Sequence, residues 1–598
     1  MTVDSIKTAH SNDNDHFIKR SFNSYLIPSI LAILGGNISI MVDNCVAGAA
    51  LGEQELAAMG IVNPVFNLIT AFGLLICGGA SALTSISIGQ GDTEKKNRYF
   101  TLTLYMLIFI AAIVTLSGNI FIDPIVKLLG AEGELIPLAK DYSRMLFFSS
   151  IALMGVYFPL NFLRVEGKAK ISMIMFFIMA GLDIILDFVF VLVFPWGMMG
   201  LALATGLSSF IAVLCVMPSL FSPKMGYRIV RVKNILPDVG KIILTGSPLA
   251  LNNLYCVVRV RIFNALLISC GGSLALAAYS CANSVNNIGM AVVSGVAQTV
   301  GPIVGVLYGE RDKEGIHCTV SLSVKIGCMV TACMWIVAVV FSRQLAMLFG
   351  MTSPEQNQTA ALAISILNFN LIFSLIVNVF IYYYMTTGRA GISNLITVLK
   401  AIIFNVALSF AGTKLFGFNG FFVGLALSEV FCVLTAYISA SVKKKRESCE
   451  NILLLPSKLF DNAEYLSKTI SATSEEISET AEAAGDFCAE HGLTPKQSMT
   501  VSLGIEEIMV LMAQIALAGT EESIEFRLFI TENETILRIR CAGKHFDPLS
   551  YEPEDELENL GVKMLLKMAS DVSYSTNLGL NNIKLMLSGE SSQKEGGK

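Results

Sequence analysis

A chain of 598 residues that is 54% hydrophobic and only 15% charged, with a mean hydropathy of +0.64, is too apolar to fold as a water-soluble globule throughout. The formal net charge of −5, and the lack of a basic face interleaved with aromatics, argue against a nucleic-acid partner. The 13 cysteines form no CxxC pair and read as small core-filling residues, while all five histidines lie outside the apolar cores, against a histidine metal site in a bilayer.

Residues 1–20 are polar, without the cleavage pattern of a secretory signal. From Ser21 to Ser441 the chain is a succession of apolar runs, each long enough to cross ~30 Å of hydrocarbon as a helix. They fall near 22–48, 55–89, 97–122, 136–163, 171–194 and 198–220, and again near 237–269, 275–307, 316–342, 357–386, 392–413 and 418–441. This predicts an all-α polytopic membrane protein of two six-helix lobes, an N-lobe at 21–220 and a C-lobe at 237–441. A linker at 221–236, with Pro223, Lys224 and Arg228, joins them. A basic linker at 442–450, containing Lys443 to Arg446, leads to a cytoplasmic domain at 451–598.

Basic residues occupy every second loop: Lys19/Arg20, Lys95/Lys96/Arg98, Arg164/Lys168/Lys170, Arg228/Arg231/Lys233, Arg311/Lys313, Arg389 and Lys443–Arg446. The intervening loops are poor in Lys and Arg, and GEQE at 52–55 and CGG at 270–272 have none. The positive-inside rule then puts both termini in the cytoplasm. The lobes are repeats: a shift of about 220 positions lays Pro28 on Pro248, Asn44 on Asn264, LAAMG on LAAYS, and Gly89 and Asp92 on Gly309 and Asp312. Six spans followed by six keep their orientation, so the halves are parallel repeats, an arrangement in which substrate binds between lobes that rock about it.

Two aspartates, Asp183 and Asp187, interrupt the apolar stretch FFIMAGLDIILDFVFVLVF. Each charge at the centre of a membrane helix costs roughly 2.5–3.5 kcal/mol. Four residues apart, they share one helical face. Two carboxylates in one desolvated site cannot both ionise cheaply, so one holds a proton or the pair holds a cation.

The segments MVDNCVAGAALGEQELAAMGIVNPV, GGASALTSISIGQGD, NFLRVEGKAKISM, GLDIILDFVF, GMMGLALAT, GGSLALAAYS and GVAQTVGPIVGVLYGERD resemble, in order and spacing, the MATE (multidrug and toxic-compound extrusion) family over residues 20–441. The resemblance implies a monomeric exporter of small organic, often cationic and amphipathic compounds in a bacterial plasma membrane, with no cofactor, exchanging substrate for H⁺ or Na⁺. It places Asp43 at the family's first-helix carboxylate, Asp187 at its fifth-helix aspartate, Thr205 at a sixth-helix threonine, and Pro28 at a proline where the first helix bends. The family usually has asparagine at Asp183, a departure that favours proton coupling through the Asp43, Asp183 and Asp187 cluster.

The C-lobe lacks this acidic set, since Asp43 maps to Phe263 and Asp187 to Leu408. It carries Arg259, Arg261, Lys400 and Glu429 instead. With Asn44, Asn161, Asn264, Asn283 and Asn287 these are the candidate lining of a substrate cavity. One of the two arginines is expected to pair with Glu429. If they face the cavity, the alternative is export of anionic or lipid-linked substrates.

In the tail, strands and helices alternate as in a small α+β sandwich. LGIEEIMVLM, CAGKHFDPLS and ENLGVKML resemble the ATP-binding domain of anti-sigma-factor serine kinases. Glu506, Glu507, Gly543, Asp547 and Gly561 remain of that pattern. Leu511 and Cys541 stand where the resemblance expects a magnesium-holding asparagine and an adenine-reading aspartate. This implies a degenerate module kept as a regulatory or protein-docking surface. A further alternative is a transporter-derived sensor that signals through it.

Overall fold

The computed structural model describes residues 15–222, 226–447, 449, 452–455, 464–520, 522–530, 534–551 and 560–588. Pro223 and Lys224 of the linker, and Glu558 and Asn559 of ENLGVKML, lie outside them. The chain forms two compact units, one of residues 22–310 and 319–446, the other of residues 1–21, 311–318 and 447–598.

The larger unit is helical because lipid offers no partner for backbone N–H and C=O groups, so each apolar run satisfies its own. Its first half contains α1 (Asp15–Val46), α2 (Glu53–Gln90), α3 (Thr93–Ile120), α4 (Ile122–Leu128), α5 (Leu135–Phe148), α6 (Ser150–Gly155), α7 (Tyr157–Val165), α8 (Ala169–Phe188) and α9 (Gly197–Leu220). The second half contains α10 (Leu236–Gly309), α11 (Lys313–Val340), α12 (Ser342–Leu348), α13 (Pro354–Asn368), α14 (Asn370–Thr386), α15 (Ala390–Val398) and α16 (Asn405–Glu447). Two of these are pairs of spans. α10 breaks at Gly272 and α16 at Gly417, where φ of 60° and 61° suits glycine.

Among the described residues, eleven helices are long and apolar enough to cross a membrane, or twelve with the bent α5–α7 pair counted as a span. One of the eleven, 495–516, belongs to the smaller unit, and the break at Gly417 divides another in two. Twelve spans therefore remain, as expected. The expected straight span at 136–163 is instead broken, its halves bent by 51° around Ser149. α1 runs through Pro28 as one helix, and the basic run at 443–446 continues α16 to Glu447.

The lobes meet where α2 packs on α10 through glycine. A Cβ on Gly79 would strike the Ile242 carbonyl, one on Gly246 the Leu75 carbonyl, one on Gly89 the Val306 carbonyl, and one on Gly309 the Ile86 carbonyl. Backbones this close leave no room for a side chain. The contacts run along the end of α2 that leads into the Lys95–Lys96 loop, so the interlobe seam is sealed at the end rich in basic loops.

In the smaller unit an antiparallel sheet with order β1-β2-β3-β5-β4 forms from β1 (Glu464–Ser471), β2 (Ser523–Ile530), β3 (Glu534–Cys541), β4 (Ala569–Asn577) and β5 (Leu580–Ser588). α17 (Ser474–Glu490), α18 (Pro495–Leu511) and α19 (Leu560–Met568) accompany it. Thr494 and Gln497 form a capping box at the start of α18, with Pro495 in the first turn. Ile505 and Ile508 of α18 share a core with Phe526 and Leu528 of β2 and Leu537 and Ile539 of β3. By the two-residue strand period, Glu525, Arg527, Arg538 and Arg540 lie on the opposite face. They are nevertheless buried.

Gly89→Val should open the seam. Overpacking costs about 1–3 kcal/mol or more, so the unfolding temperature in detergent is expected to fall and flux to drop at least tenfold. Membrane insertion, checked by expression and fractionation, should persist.

Candidate functional site

Three carboxylates converge in the first half of the larger unit. Asp43 comes from the last turn of α1, and Asp183 and Asp187 from one face of α8. Each contributes an oxygen, and these oxygens lie within 4.8 Å of one another. The residues are 5%, 2% and 0% exposed. A π-helical segment follows each of these helices within a turn or so of the aspartate, Ala47–Leu51 after α1 and Val189–Val193 after α8. Such bulges recur at functional sites because they re-aim backbone and side chains.

Hydroxyls complete the set on one side only. Ser39 of α1 and Ser208 of α9 both donate to Asp183, Ser208 at 3.1 Å. Asp43 Oδ1 and both oxygens of Asp187 have no donor among the described residues. Thr205 directs its hydroxyl to the Leu201 carbonyl at 3.2 Å, and Ser208 and Ser209 donate to the Thr205 carbonyl. Three buried carboxylates at this spacing are not all ionised without a counter-cation. Oxygen-only donors suit a proton or a hard ion and not a soft transition metal.

Ser39 and Ser208 went unnoticed in the sequence because serine is common in membrane helices. The available signal was spacing: Ser39 is four residues before Asp43, and Ser208 three after Thr205.

The C-lobe candidates do not assemble into one lining. Lys400 sits in a π-helical segment at Leu399–Phe404, pairs with Glu429 at 3.4 Å and donates to Ser374 at 2.7 Å. Glu429 is therefore taken by Lys400, not by an arginine as expected, because α15 and α16 bring the two chains together inside the lobe. Arg261 is exposed and donates to the Leu129 carbonyl at 3.1 Å, and Arg259 is half-buried. Asn44 is exposed and donates to Ile40, Asn264 and Asn283 are half-buried, and Asn287 is exposed. Asn161 lines a cavity between the lobes together with Arg164 and Gln298.

In the smaller unit Glu507 accepts from the N–H groups of Gly561 and Val562 at 3.0 and 2.9 Å, holding the first turn of α19, and Glu506 beside it is half-buried. Cys541 is fully buried, its sulfur accepting from Asn581 at 3.8 Å. Gly543 has φ of 103° and lies against the Ala516 carbonyl, and Asp547 caps the turn at Leu549.

A family model described as MatE matches residues 28–189 and 248–411. The multidrug export protein MepA of Staphylococcus aureus (strain MRSA252) is 23% identical over 424 residues, covering 70% of this chain and 92% of that protein. A solved outward-facing multidrug resistance MATE family transporter of the MOP superfamily superposes with a TM-score of 0.68 at 22% identity, covering 72% of this chain and 96% of that one. The Vibrio cholerae MATE transporter VcmN, as a point variant, gives 0.68 at 20% identity, covering 74% and 99%.

Ser39→Ala should cost about 1–3 kcal/mol, because it strips a donor from a buried carboxylate. Chemical or thermal unfolding in detergent is expected to show that loss. In an Asp183→Asn background, where no charge needs the donor, the same change should cost less than half as much.

Proposed function

Because the chain belongs to the MatE family of multidrug and toxic-compound extrusion transporters, we propose that it is a secondary-active exporter of small organic compounds, driven by inward movement of H⁺ through Asp43, Asp183 and Asp187. The meeting of three buried carboxylates within 4.8 Å carries this reading. A cluster that must be neutral to stay closed binds a cation from one side, and opening of α1 against α8 releases it. The closeness of three buried acids supports a shared proton over Na⁺. Both termini face the cytoplasm, the reading that the basic loops support. No phosphate-binding G-x-x-x-x-G-K-[ST] stretch is present in the sequence to drive export by hydrolysis.

The 447–598 domain acts on this reading as a regulatory module and not as a nucleotide engine. Cys541 stands in its core where a base-reading carboxylate would be needed, and Glu507 is committed to the backbone of α19. Its sheet instead grips other parts of its own unit. Asp312 pairs with Arg527 at 2.7 Å, Arg527 with Glu525 at 2.7 Å, and Glu525 with Arg540 at 3.3 Å, two acids balancing two bases. Asp312 also caps its own helix through Gly315 N–H, and Tyr465 donates to Glu314. At the other end of the sequence Phe17 packs with Ala542 and Leu580, and Arg20 pairs with Glu522. The repeat-related Asp92 pairs within its own helix with Lys95 at 2.8 Å and is partly exposed, whereas the tail supplies the partner of Asp312.

Burial pushes the Asp312 carboxyl up, but Arg527 and Arg540 outweigh it and hold it at about 2. A depressed carboxyl contributes stability that is complete above its unfolded value near 4 and is lost as pH falls towards 2. The clamp therefore persists across the physiological range.

Efflux of a fluorescent organic cation from proteoliposomes tests the first proposal. A pH gradient alone is expected to drive wild type, and Asp187→Asn to lose at least a hundredfold of that drive while still inserting; full efflux by Asp187→Asn would sink the assignment. For the tail, Asp312→Asn leaves Arg527 partly unpaired in a buried cluster, which costs about 3–5 kcal/mol. Limited proteolysis should then release a tail fragment at least tenfold faster, with altered but not abolished flux. Unchanged proteolysis and unchanged flux would remove the regulatory role.

A further inference from the structure

Among the described residues, Arg164 at the end of α7 is a buried cation of the membrane unit with no acidic partner. It is 2% exposed. Its Nη1 donates to Gln298 of α10, while Nε and Nη2 donate to no group among the described residues. Those two N–H groups lie on one edge of the planar guanidinium, parallel and spaced to meet the two oxygens of a carboxylate. The residue lines a narrow cavity whose walls also include Ser81 of α2, Asn161 of α7, Gln298 of α10, and Tyr382 and Thr386 of α14. Both lobes contribute to it.

Nothing within the described residues neutralises this cation. Tyr382 in the same cavity wall offers a phenol and not a carboxylate. The acidic residue beside it in sequence, Glu166, is taken by Lys96 at 2.6 Å. An uncompensated buried guanidinium is strongly disfavoured, and buried donors take acceptors where they can. Lys400 shows the contrast: it has both a carboxylate and a hydroxyl.

We propose that the Arg164 cavity is a carboxylate-binding site, which takes the carboxylate of an acidic or zwitterionic substrate at the interlobe seam. The free fork edge selects a carboxylate over a spherical anion, since chloride cannot satisfy two parallel donors as well. With walls from both lobes, the site is complete only while the α2–α10 seam is closed, so a bound carboxylate favours that arrangement. Its service as a substrate handle rests on the exporter reading; binding itself does not.

The test is thermal unfolding of the full chain in detergent, with sodium formate, acetate or chloride at equal ionic strength and pH. Wild type is expected to rise by a few degrees, saturably, with formate and acetate and much less with chloride. Arg164→Lys keeps the charge without the fork and should respond weakly and without preference, and Arg164→Gln should not respond. Asn161→Asp leaves the arginine in place and puts a carboxylate into the same cavity, so it should gain no further stability from formate even if Arg164→Gln folds poorly. Equal shifts with chloride, a formate shift retained in Arg164→Gln or Asn161→Asp, or no anion response in wild type would each overturn the proposal. The measurement needs no gradient, so its failure leaves the exporter reading standing, and a failure of export leaves the binding result standing.

Discussion

Charge buried in a low-dielectric interior must be neutralised, and the membrane unit is organised around that constraint. Most of its buried ions meet it with a protein partner: Lys400 with Glu429, and Lys96 with Glu166. Two places do not. The Asp43–Asp183–Asp187 cluster has an excess of negative charge, and Arg164 is a cation whose Nε–Nη2 edge has no partner among the described residues. A rigid protein would have little reason to keep either. A protein that cycles between two arrangements can use both, because each imbalance is corrected by something that comes and goes.

The two imbalances are of opposite sign and sit differently with respect to the seam. The acids belong to α1 and α8 of the first half alone, so that site can be completed within one lobe. The Arg164 cavity draws on both lobes and exists only where they meet. Glycine contacts between α2 and α10 hold that meeting shut through backbone proximity, which tolerates no added atoms. A cation acting on the first lobe and an anion acting at the seam would then bias the same opening from two directions, which is what coupled exchange requires.

The smaller unit applies the same rule outside the lipid. Its sheet buries a conventional apolar face under α18 and also buries the other face, where Glu525, Arg527, Arg538 and Arg540 would ordinarily be solvated. Arg527 and Arg538 stand directly opposite one another across β2 and β3, a like-charge pairing that is unfavourable unless an acid intervenes. Asp312, from the loop before α11, is that acid for Arg527. The sheet thus holds a segment that is remote in sequence by a neutral chain of ion pairs and not by apolar area.

The sequence by itself determined the membrane class, the twelve spans, the parallel repeat and the alternating α and β elements of the tail, because bilayer thickness and backbone hydrogen bonding leave so few solutions for long apolar runs. It also exposed Asp183 and Asp187, since a four-residue spacing fixes a shared face and the insertion cost demands a reason. Tertiary structure alone decided the partners. Lys400 took Glu429 in place of an arginine, Ser39 and Ser208 joined the acids, and Asp312 found Arg527, because these depend on how helices cross and how strands register. Arg164 looked like one more basic residue of a loop, as its neighbours Lys168 and Lys170 are. Only the packing of α7 beneath the seam turned it into a buried charge, since helical periodicity gives the direction of a side chain but not what lies opposite.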